Sequence, residues 1–181
     1  MNRAAARGRQ RHLRNLGCGL HAPAVKPARP DEDLVLLFAA IATASSDEVM
    51  RRVERAGHGD LRPSHGYVFQ HLIPGPVKVR ELAERLGITA QGASNAVAEL
   101  EELGYVRRRV AEDDQRNRLV ELTERGWAAV EAGRAARAAV NKRLRALLGE
   151  EQAGALLASL QRIAERTGGI ELLSSRRLRQ P

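Results

Sequence analysis

The chain has little cysteine and no long apolar segment: it contains one Cys, and its longest apolar run, 34–42, has nine residues. A single cysteine excludes an intramolecular disulfide framework and is typical of a reducing compartment. A membrane-spanning helix needs roughly 20 apolar residues. The basic N-terminus is not followed by the apolar segment of a secretory signal. We therefore expect a soluble protein of the cytoplasm with no membrane partner.

The sequence also lacks a catalytic pattern. It shows no nucleophile–base constellation, no phosphate-binding glycine loop and no cluster of metal ligands at a suitable spacing. His58, His65 and His71 lie around one predicted helix, but no cysteine or acidic cluster accompanies them. We therefore predict that the protein is not an enzyme, with no catalytic residues, no metal site and no cofactor.

The formal net charge of +8 is concentrated at the two ends of the chain. Residues 1–33 carry seven basic and three acidic side chains, and residues 170–181 carry three and one. Residues 1–31 lack apolar periodicity and predict a disordered basic arm, and 169–181 predict a flexible basic tail. The arm either adds nonspecific affinity for a polyanion or is a plain tail, and the role of its Cys18 stays open.

The pattern of apolar residues and caps predicts a mainly α-helical protein with a small β-hairpin, an α+β class. Helices are expected at 32–56, 63–72, 78–86, 90–103, 123–148 and 150–167, and strands at 105–110 and 118–122. The Ser45-Ser46 pair is a point where the first helix could bend. Its buried side is expected to consist of Leu34, Leu37, Phe38, Ile41, Val49 and Val53.

The segments 78–86 and 90–103, joined by Gly87-Ile88-Thr89, form a helix-turn-helix signature. Glycine permits the tight turn, Ile88 fills the corner and the Thr89 hydroxyl caps the second helix. Helical spacing then puts Ala93, Ala96, Val97 and Leu100 on one side of that helix and Gln91, Ser94, Asn95 and Ala98 on the other. Amide and hydroxyl groups can read bases, although a polar face is more often simply solvated. The turn and the hairpin favour base reading by Gln91, Ser94 and Asn95.

The exposed side of the predicted recognition helix has no Lys or Arg, so contacts to the DNA backbone must come from flanking positions. We predict them at Lys78, Arg80, Thr89, Arg107, Arg109 and Arg118. At the hairpin tip, Arg116 could enter a minor groove with its geometry fixed by Asp114. In isolation an Asp-x-Arg turn is more often a surface ion pair.

Four motifs together resemble the MarR family of bacterial winged-helix regulators. They are Glu-Leu-Ala-x-x-Leu-Gly-Ile-Thr at 81–89, Leu-Glu-Glu-Leu-Gly-Tyr-Val at 100–106, Asp-x-Arg at 114–116 and Leu-Thr-x-x-Gly at 122–126. The resemblance covers 34–168. It implies a winged helix-turn-helix at about 61–124 within a domain spanning 32–168, with N- and C-terminal dimerisation helices at 32–57 and 125–168.

The same resemblance implies a function. Members of the family usually act as homodimers on palindromic double-stranded DNA, repress transcription and release DNA when a small-molecule effector binds. We accordingly expect a cytoplasmic, nucleoid-associated repressor, with Asp114 and Arg116 as the wing pair. His65 and Tyr67 are suggested as borders of an effector pocket.

The apolar pattern of the C-terminal helices also favours a dimer, because a winged core needs little of this surface for itself. The alternative is ordinary packing within one chain. A competing function is a protein-interaction module with little specific DNA binding, in which Glu99, Glu101 and Glu102 face a basic partner. The apolar residues concerned are Trp127, Val130, Leu144, Leu147, Leu148, Leu156, Leu157, Leu160 and Ile163.

Overall fold

The structure is a computed structural model that describes residue 29 and residues 31–110 and 118–175, and it describes side chains as far as residue 172. The predicted arm with Cys18, the hairpin loop with Asp114 and Arg116, and residues 176–181 lie outside the described residues. Contacts divide the chain into two units, 1–37 and 38–181.

Helices dominate the described chain and a small antiparallel sheet accompanies them, which confirms the predicted fold class. The elements are α1 (Leu34–Val53), α2 (His65–Leu72), β1 (Val77–Lys78), α3 (Val79–Leu86), α4 (Ala90–Glu102), β2 (Val106–Val110), β3 (Arg118–Leu122), α5 (Glu124–Leu148), α6 (Glu150–Thr167) and α7 (Gly169–Ser175).

Side-chain caps fix where three of the helices begin, because the first backbone N–H groups of a helix have no partner within it. Asp33 Oδ1 accepts hydrogen bonds from the backbone of Val35 and Leu36 at 2.9 and 3.1 Å. The Thr89 hydroxyl accepts from Gly92 N at 3.0 Å at the start of α4. The Thr123 hydroxyl accepts from Gly126 N at 3.1 Å at the start of α5.

The sheet has the order β1-β3-β2, and both pairings are antiparallel. Strand β3 is central, with Val120 opposite Val77 on one side and Arg108 on the other. The inward residues of the sheet pack with α2, α3 and α4 around one core. Its buried members are Val68, Phe69, Leu72, Val77, Leu82, Leu86, Val97, Leu100, Tyr105, Val106, Val120, Leu122, Ala129 and Val130.

The first helix differs from its prediction in length and in burial. It continues through Ser45-Ser46 and ends at Val53, and a wide turn at Glu54–His58 follows, with Gly57 at a φ of +94°. Within α1, which is described throughout, Val53 alone is buried. The predicted buried residues Leu34, Phe38 and Ile41 are exposed by 63, 38 and 54%. Periodicity correctly marks an apolar face, but it does not say whether the same chain covers it.

Three further boundaries differ from expectation. Helix α2 begins at His65, after Pro63 rather than on it. Lys78 lies in β1 and not in a helix, because Val77 and Lys78 pair with β3, and two residues are too few for a periodic signal. Helix α7 occupies part of the expected flexible tail, and Gly168, at a φ of +73°, separates it from α6.

Candidate nucleic-acid interface

Helix α4 has the two sides that its sequence predicts. Ala93, Val97 and Leu100 are buried in the core. Gln91 and Asn95 are exposed one helical turn apart, and the Gln91 side-chain amide donates a 2.8 Å hydrogen bond to Asn95 Oδ1. Gly87 holds the preceding turn at a φ of +70°, and Ile88 packs against the core. The polar side of α4 therefore faces away from the core.

Cationic side chains flank α4 on neighbouring elements. Lys78 and Arg118 are exposed on β1 and β3. The Arg80 side chain is 89% exposed and contacts Glu84 at 3.3 Å. An exposed ion pair of this kind contributes little, about 0–1 kcal/mol, so Arg80 can exchange Glu84 for a phosphate at low cost.

Two of the predicted DNA contacts on the wing share one carboxylate. Arg107 Nε and Arg109 Nε donate to the two oxygens of Glu121, at 2.7 and 2.9 Å. Partial burial raises the pKa of Glu121, but the two arginine hydrogen bonds bring it below its ordinary value. Arg108 points the other way and meets Glu101 at 3.1 Å, as strand alternation predicts. Sequence reasoning missed Glu121, which the hairpin register places opposite Arg107.

The acidic residues of α4 are engaged within the chain. Glu99 pairs with Arg62, and its other oxygen lies 3.5 Å from His65 Nε2. Glu101 accepts a 3.1 Å hydrogen bond from Arg108 N in addition to its ion pair. Burial lowers the pKa of His65, although Glu99 opposes the shift. The acidic cluster is therefore less available to a basic partner than the sequence suggests, while Glu102 is exposed.

A polar cluster centred on Tyr105 joins the end of α4 to the start of α5. The fully buried Tyr105 donates a 2.5 Å hydrogen bond to Asp60 Oδ1, and its oxygen lies 3.1 Å from His58 Nδ1. Arg125 lies 4.3 Å over the tyrosine ring and donates to Asp60 Oδ2 at 2.8 Å and to Leu103 O at 2.6 Å. This Tyr105 cluster fixes the C-terminal end of α4 and was not anticipated from the sequence.

The Tyr105 cluster should stabilise the fold, and in a pH-dependent manner. Burial and the hydrogen bond to Asp60 raise the pKa of Tyr105 to about 12 from 10.0. A raised folded-state pKa gives stability that is complete below pH 10 and is lost as pH rises towards 12. We expect Tyr105→Phe to cost about 1–3 kcal/mol near neutral pH and to reduce this alkaline loss. Denaturant titrations from pH 7 to 12 measure both effects.

The exposed Tyr67 supplies the control for this experiment, since Tyr67→Phe removes a hydroxyl outside the Tyr105 cluster. We expect that variant to retain the stability and pH profile of the unmodified protein. An alkaline loss of the same size in Tyr105→Phe as in the unmodified protein would contradict the assignment.

A cavity of about 770 Å³ lies between α1, α2 and α5. Its walls are mostly apolar and include Val49, Met50, Tyr67, Phe69, Val140 and Leu144. Tyr67, suggested from the sequence as a pocket residue, lies on the wall. His65 is buried against α4 and is not among the residues lining the cavity. The assignment of this pair to an effector pocket stays a prediction.

The described residues contain no group of three or more His, Cys, Asp or Glu side chains placed to hold a metal ion. Of the described helices, none combines the length and apolarity required to cross a bilayer. His58 is instead a member of the Tyr105 cluster, and His65 accepts a 3.2 Å hydrogen bond from Arg62 N at its Nδ1.

The helix pair α3–α4, with a left-handed turn at Gly87 and the Thr89 cap on α4, is followed by the β2–β3 hairpin and defines a winged helix-turn-helix protein. Residues 60–117 match the sequence profile of the MarR family. The winged-helix segment of the chain is accordingly one of the MarR family, whose members are transcriptional regulators and not enzymes. Among curated protein sequences, none matches the chain.

Solved structures extend the similarity beyond the winged helix. The YusO protein from Bacillus subtilis is 26% identical with a TM-score of 0.60, over 76% of this chain and 98% of that one. The transcriptional repressor CouR, solved on a 23-mer DNA duplex, is 25% identical with a TM-score of 0.57, over 77% and 98%. MepR, a regulator of a Staphylococcus aureus multidrug efflux pump, shares the fold at 22% identity and a TM-score of 0.62, over 74% and 98%.

Proposed function

We propose that this protein is a sequence-specific repressor that binds a palindromic operator as a homodimer and leaves it when a small molecule binds. The observation that carries the proposal is the exposed polar side of α4, with Gln91 and Asn95 outward and cations on the elements around it. The proposal is supported by the match of residues 60–117 to the MarR family and by the structure of the repressor CouR on a DNA duplex. The protein would then act in the cytoplasm, at the nucleoid.

Base reading and phosphate binding are assigned to different elements in this proposal. Gln91, Ser94 and Asn95 read bases in the major groove, because amides and hydroxyls offer both donors and acceptors. Arg116, with Asp114 two residues before it in the sequence, is assigned to a minor groove. The phosphates are assigned to Lys78, Arg80, Thr89, Arg107, Arg109 and Arg118. Since Arg107 and Arg109 also hold Glu121, DNA phosphates must share these two side chains with a carboxylate.

Dimerisation is supported by apolar side chains that are exposed to solvent in the single chain. On α6, Leu156, Leu157, Leu160 and Ile163 are exposed by 37–48%. Trp127, Leu144, Leu147 and Leu148 of α5 are exposed as well. Large exposed apolar surfaces mark interaction sites in most proteins, and a two-fold dimer matches a palindromic operator. The partner proposed for these surfaces is a second copy of the chain.

The proposed function is tested by selecting bound duplexes from a random DNA library and titrating the best one at several salt concentrations. We expect an inverted repeat with half-sites about one DNA turn apart, and affinity that falls steeply with salt as counterions are released. In vitro transcription from a promoter containing the site should decrease when protein is added. No sequence enrichment and a flat salt dependence would favour the protein-interaction module instead.

Asn95 provides a test of base reading. We expect Asn95→Ala to reduce discrimination at one position of each half-site by about 1–3 kcal/mol while leaving affinity for unrelated duplexes nearly unchanged. Arg80→Ala is the matched comparison, because loss of a phosphate contact should weaken binding to all duplexes alike and reduce the salt slope. Competition titrations with single-base operator variants separate the two patterns. A uniform loss for Asn95→Ala would reject its role as a base contact.

A further inference from the structure

The outward face of the sheet places one carboxylate among cations. The register sets Lys78 and Arg109 opposite Leu119, and Arg107 opposite Glu121, so these five side chains share the face that points away from the core. Arg107 Nε donates to one oxygen of Glu121 at 2.7 Å, and Arg109 Nε donates to the other at 2.9 Å. One carboxylate therefore bridges two of the side chains that are assigned to DNA phosphates.

The two sides of this bridge differ in their exposure. The Glu121 side chain is 17% exposed, whereas those of Arg107 and Arg109 are 68% and 38% exposed. Burial raises the pKa of Glu121, but the hydrogen bonds from both arginines bring it below its ordinary value, so the carboxylate is charged at neutral pH. A duplex would thus reach the guanidinium groups more readily than the carboxylate that holds them.

A carboxylate and a phosphate are competing partners for a guanidinium, because both are oxyanions that accept charge-assisted hydrogen bonds. A phosphate that approaches Arg107 or Arg109 must either displace Glu121 or bind beside its negative charge. Ion pairs near the surface are weak, so displacement is possible, but either route is less favourable than binding to a free arginine. The face carries three cations and one anion, so Glu121 lowers its formal charge from +3 to +2.

The effect of Glu121 should not depend on the DNA sequence. Phosphates are alike in every duplex, and sequence is read at the base edges. Glu121 lies on β3, whereas the side chains assigned to bases lie on α4. The ion pair that links the hairpin to α4, between Arg108 and Glu101, is on the opposite face of the sheet. Loss of the Glu121 charge should therefore change the affinity for all duplexes by one factor and leave base discrimination intact.

We propose that Glu121 is an internal competitor of DNA phosphates for Arg107 and Arg109, and that it limits the affinity of the wing for duplexes of every sequence. This inference rests on the proposed function, because it assigns an affinity-limiting residue to the same DNA-binding surface. A genome offers a vast excess of incorrect sites, which compete with the operator for the protein. By weakening each phosphate contact of the wing, Glu121 shortens the stay at every incorrect site.

The experiment compares Glu121→Gln with the unmodified protein on the selected operator and on an unrelated duplex of the same length. Glutamine keeps a hydrogen-bond acceptor and removes the charge. At about 50 mM salt, we expect fluorescence anisotropy to show tighter binding to both duplexes by one common factor, about 3- to 10-fold. The logarithmic salt dependence should become steeper by about one counterion. Unchanged affinity would overturn the proposal, and weaker binding would show that Glu121 positions the arginines for DNA instead.

Two controls separate competition for the arginines from a change in net charge. Glu131→Gln also removes a carboxylate paired with an arginine, but on α5, and its affinity should change by less than about 2-fold. In a protein that already carries Arg107→Gln and Arg109→Gln, Glu121→Gln should give no gain, because nothing is left to compete for. A gain that persists there, or an equal gain in Glu131→Gln, would reject the competition.

Glu121→Thr provides a second variant, since a β-branched residue suits a strand and also removes the carboxylate. It should show the same gain, and circular dichroism with thermal unfolding establishes that each variant is folded. If selection finds no operator, the regulator proposal fails, while the unrelated duplex still measures the competition by Glu121. If an operator is found and both Glu121 variants bind it as the unmodified protein does, the role of Glu121 is wrong and the regulator proposal stands.

Discussion

Leu160→Glu is expected to convert the protein into a monomer at micromolar concentration and to lower operator affinity by roughly 100-fold or more. Leu160 is 37% exposed on α6, beside the exposed Leu156 and Leu157. In a dimer these side chains would be covered, and a new carboxylate there would be buried without a partner, which is strongly unfavourable. The DNA affinity falls because two linked half-sites bind far more tightly than one. Analytical ultracentrifugation and anisotropy titrations measure the two effects.

Ala158→Glu is the matched control, since it adds the same charge on the exposed opposite side of α6. It should remain dimeric and bind the operator with nearly unchanged affinity. Circular dichroism establishes that both variants are folded. A dimeric Leu160→Glu protein would mean that the α6 surface is not the interface.

Gly126→Ala is expected to destabilise the protein by about 3 kcal/mol or more. A Cβ atom at this buried position would lie 2.2 Å from Tyr105 O and 3.0 Å from Leu122 Cδ2. Tyr105 O cannot move easily, because it accepts hydrogen bonds from the backbone N and the hydroxyl of Thr123 at 3.0 and 3.1 Å. The added methyl group must therefore separate the start of α5 from β2 and disturb the Tyr105 cluster.

Gly133→Ala in the same helix provides the contrast. A Cβ at Gly133 meets nothing within 4 Å, so the helix preference of alanine should add up to about 1 kcal/mol of stability. Thermal and denaturant unfolding of the two variants should thus shift in opposite directions. A Gly126→Ala protein as stable as the unmodified one would show that α5 can move away from β2 at no cost.

Local chemistry made much of the winged helix predictable. Thr89, Gly87 and Ile88 each have a single structural role that a sequence states directly: a cap, a left-handed turn and a corner residue. The buried and exposed sides of α4 follow from its period alone. Strand β1 was not predicted, because two residues are too few to show a period and because its pairing with β3 is set by tertiary contacts. For a related reason, the burial of the apolar face of α1 was predicted wrongly and the partner of the apolar face of α6 was left open. The spacing of apolar residues does not say which surface covers them.

The site was predictable in its residue types and not in its pairings. Cations on the wing and polar groups on α4 are visible in the sequence. Their carboxylate partners are distant: Glu121 lies across a hairpin, and Glu99 is 37 residues from Arg62. Asp60 and Arg125, which meet at Tyr105, are 65 residues apart. Such contacts depend on how α2, α4 and α5 pack together, which no short motif records.

The absence of cations from α4 has a consequence for how the protein would search a genome. In the proposed role, side chains on α3 and the wing hold the protein on any duplex, and these contacts persist while it slides. The outer side of α4 carries no cation, so it can enter and leave the groove without displacing phosphate counterions, and each trial of a base sequence is brief. Holding the DNA and testing its sequence are then separate steps, which permits a rapid scan of incorrect sites and a long stay at the correct one.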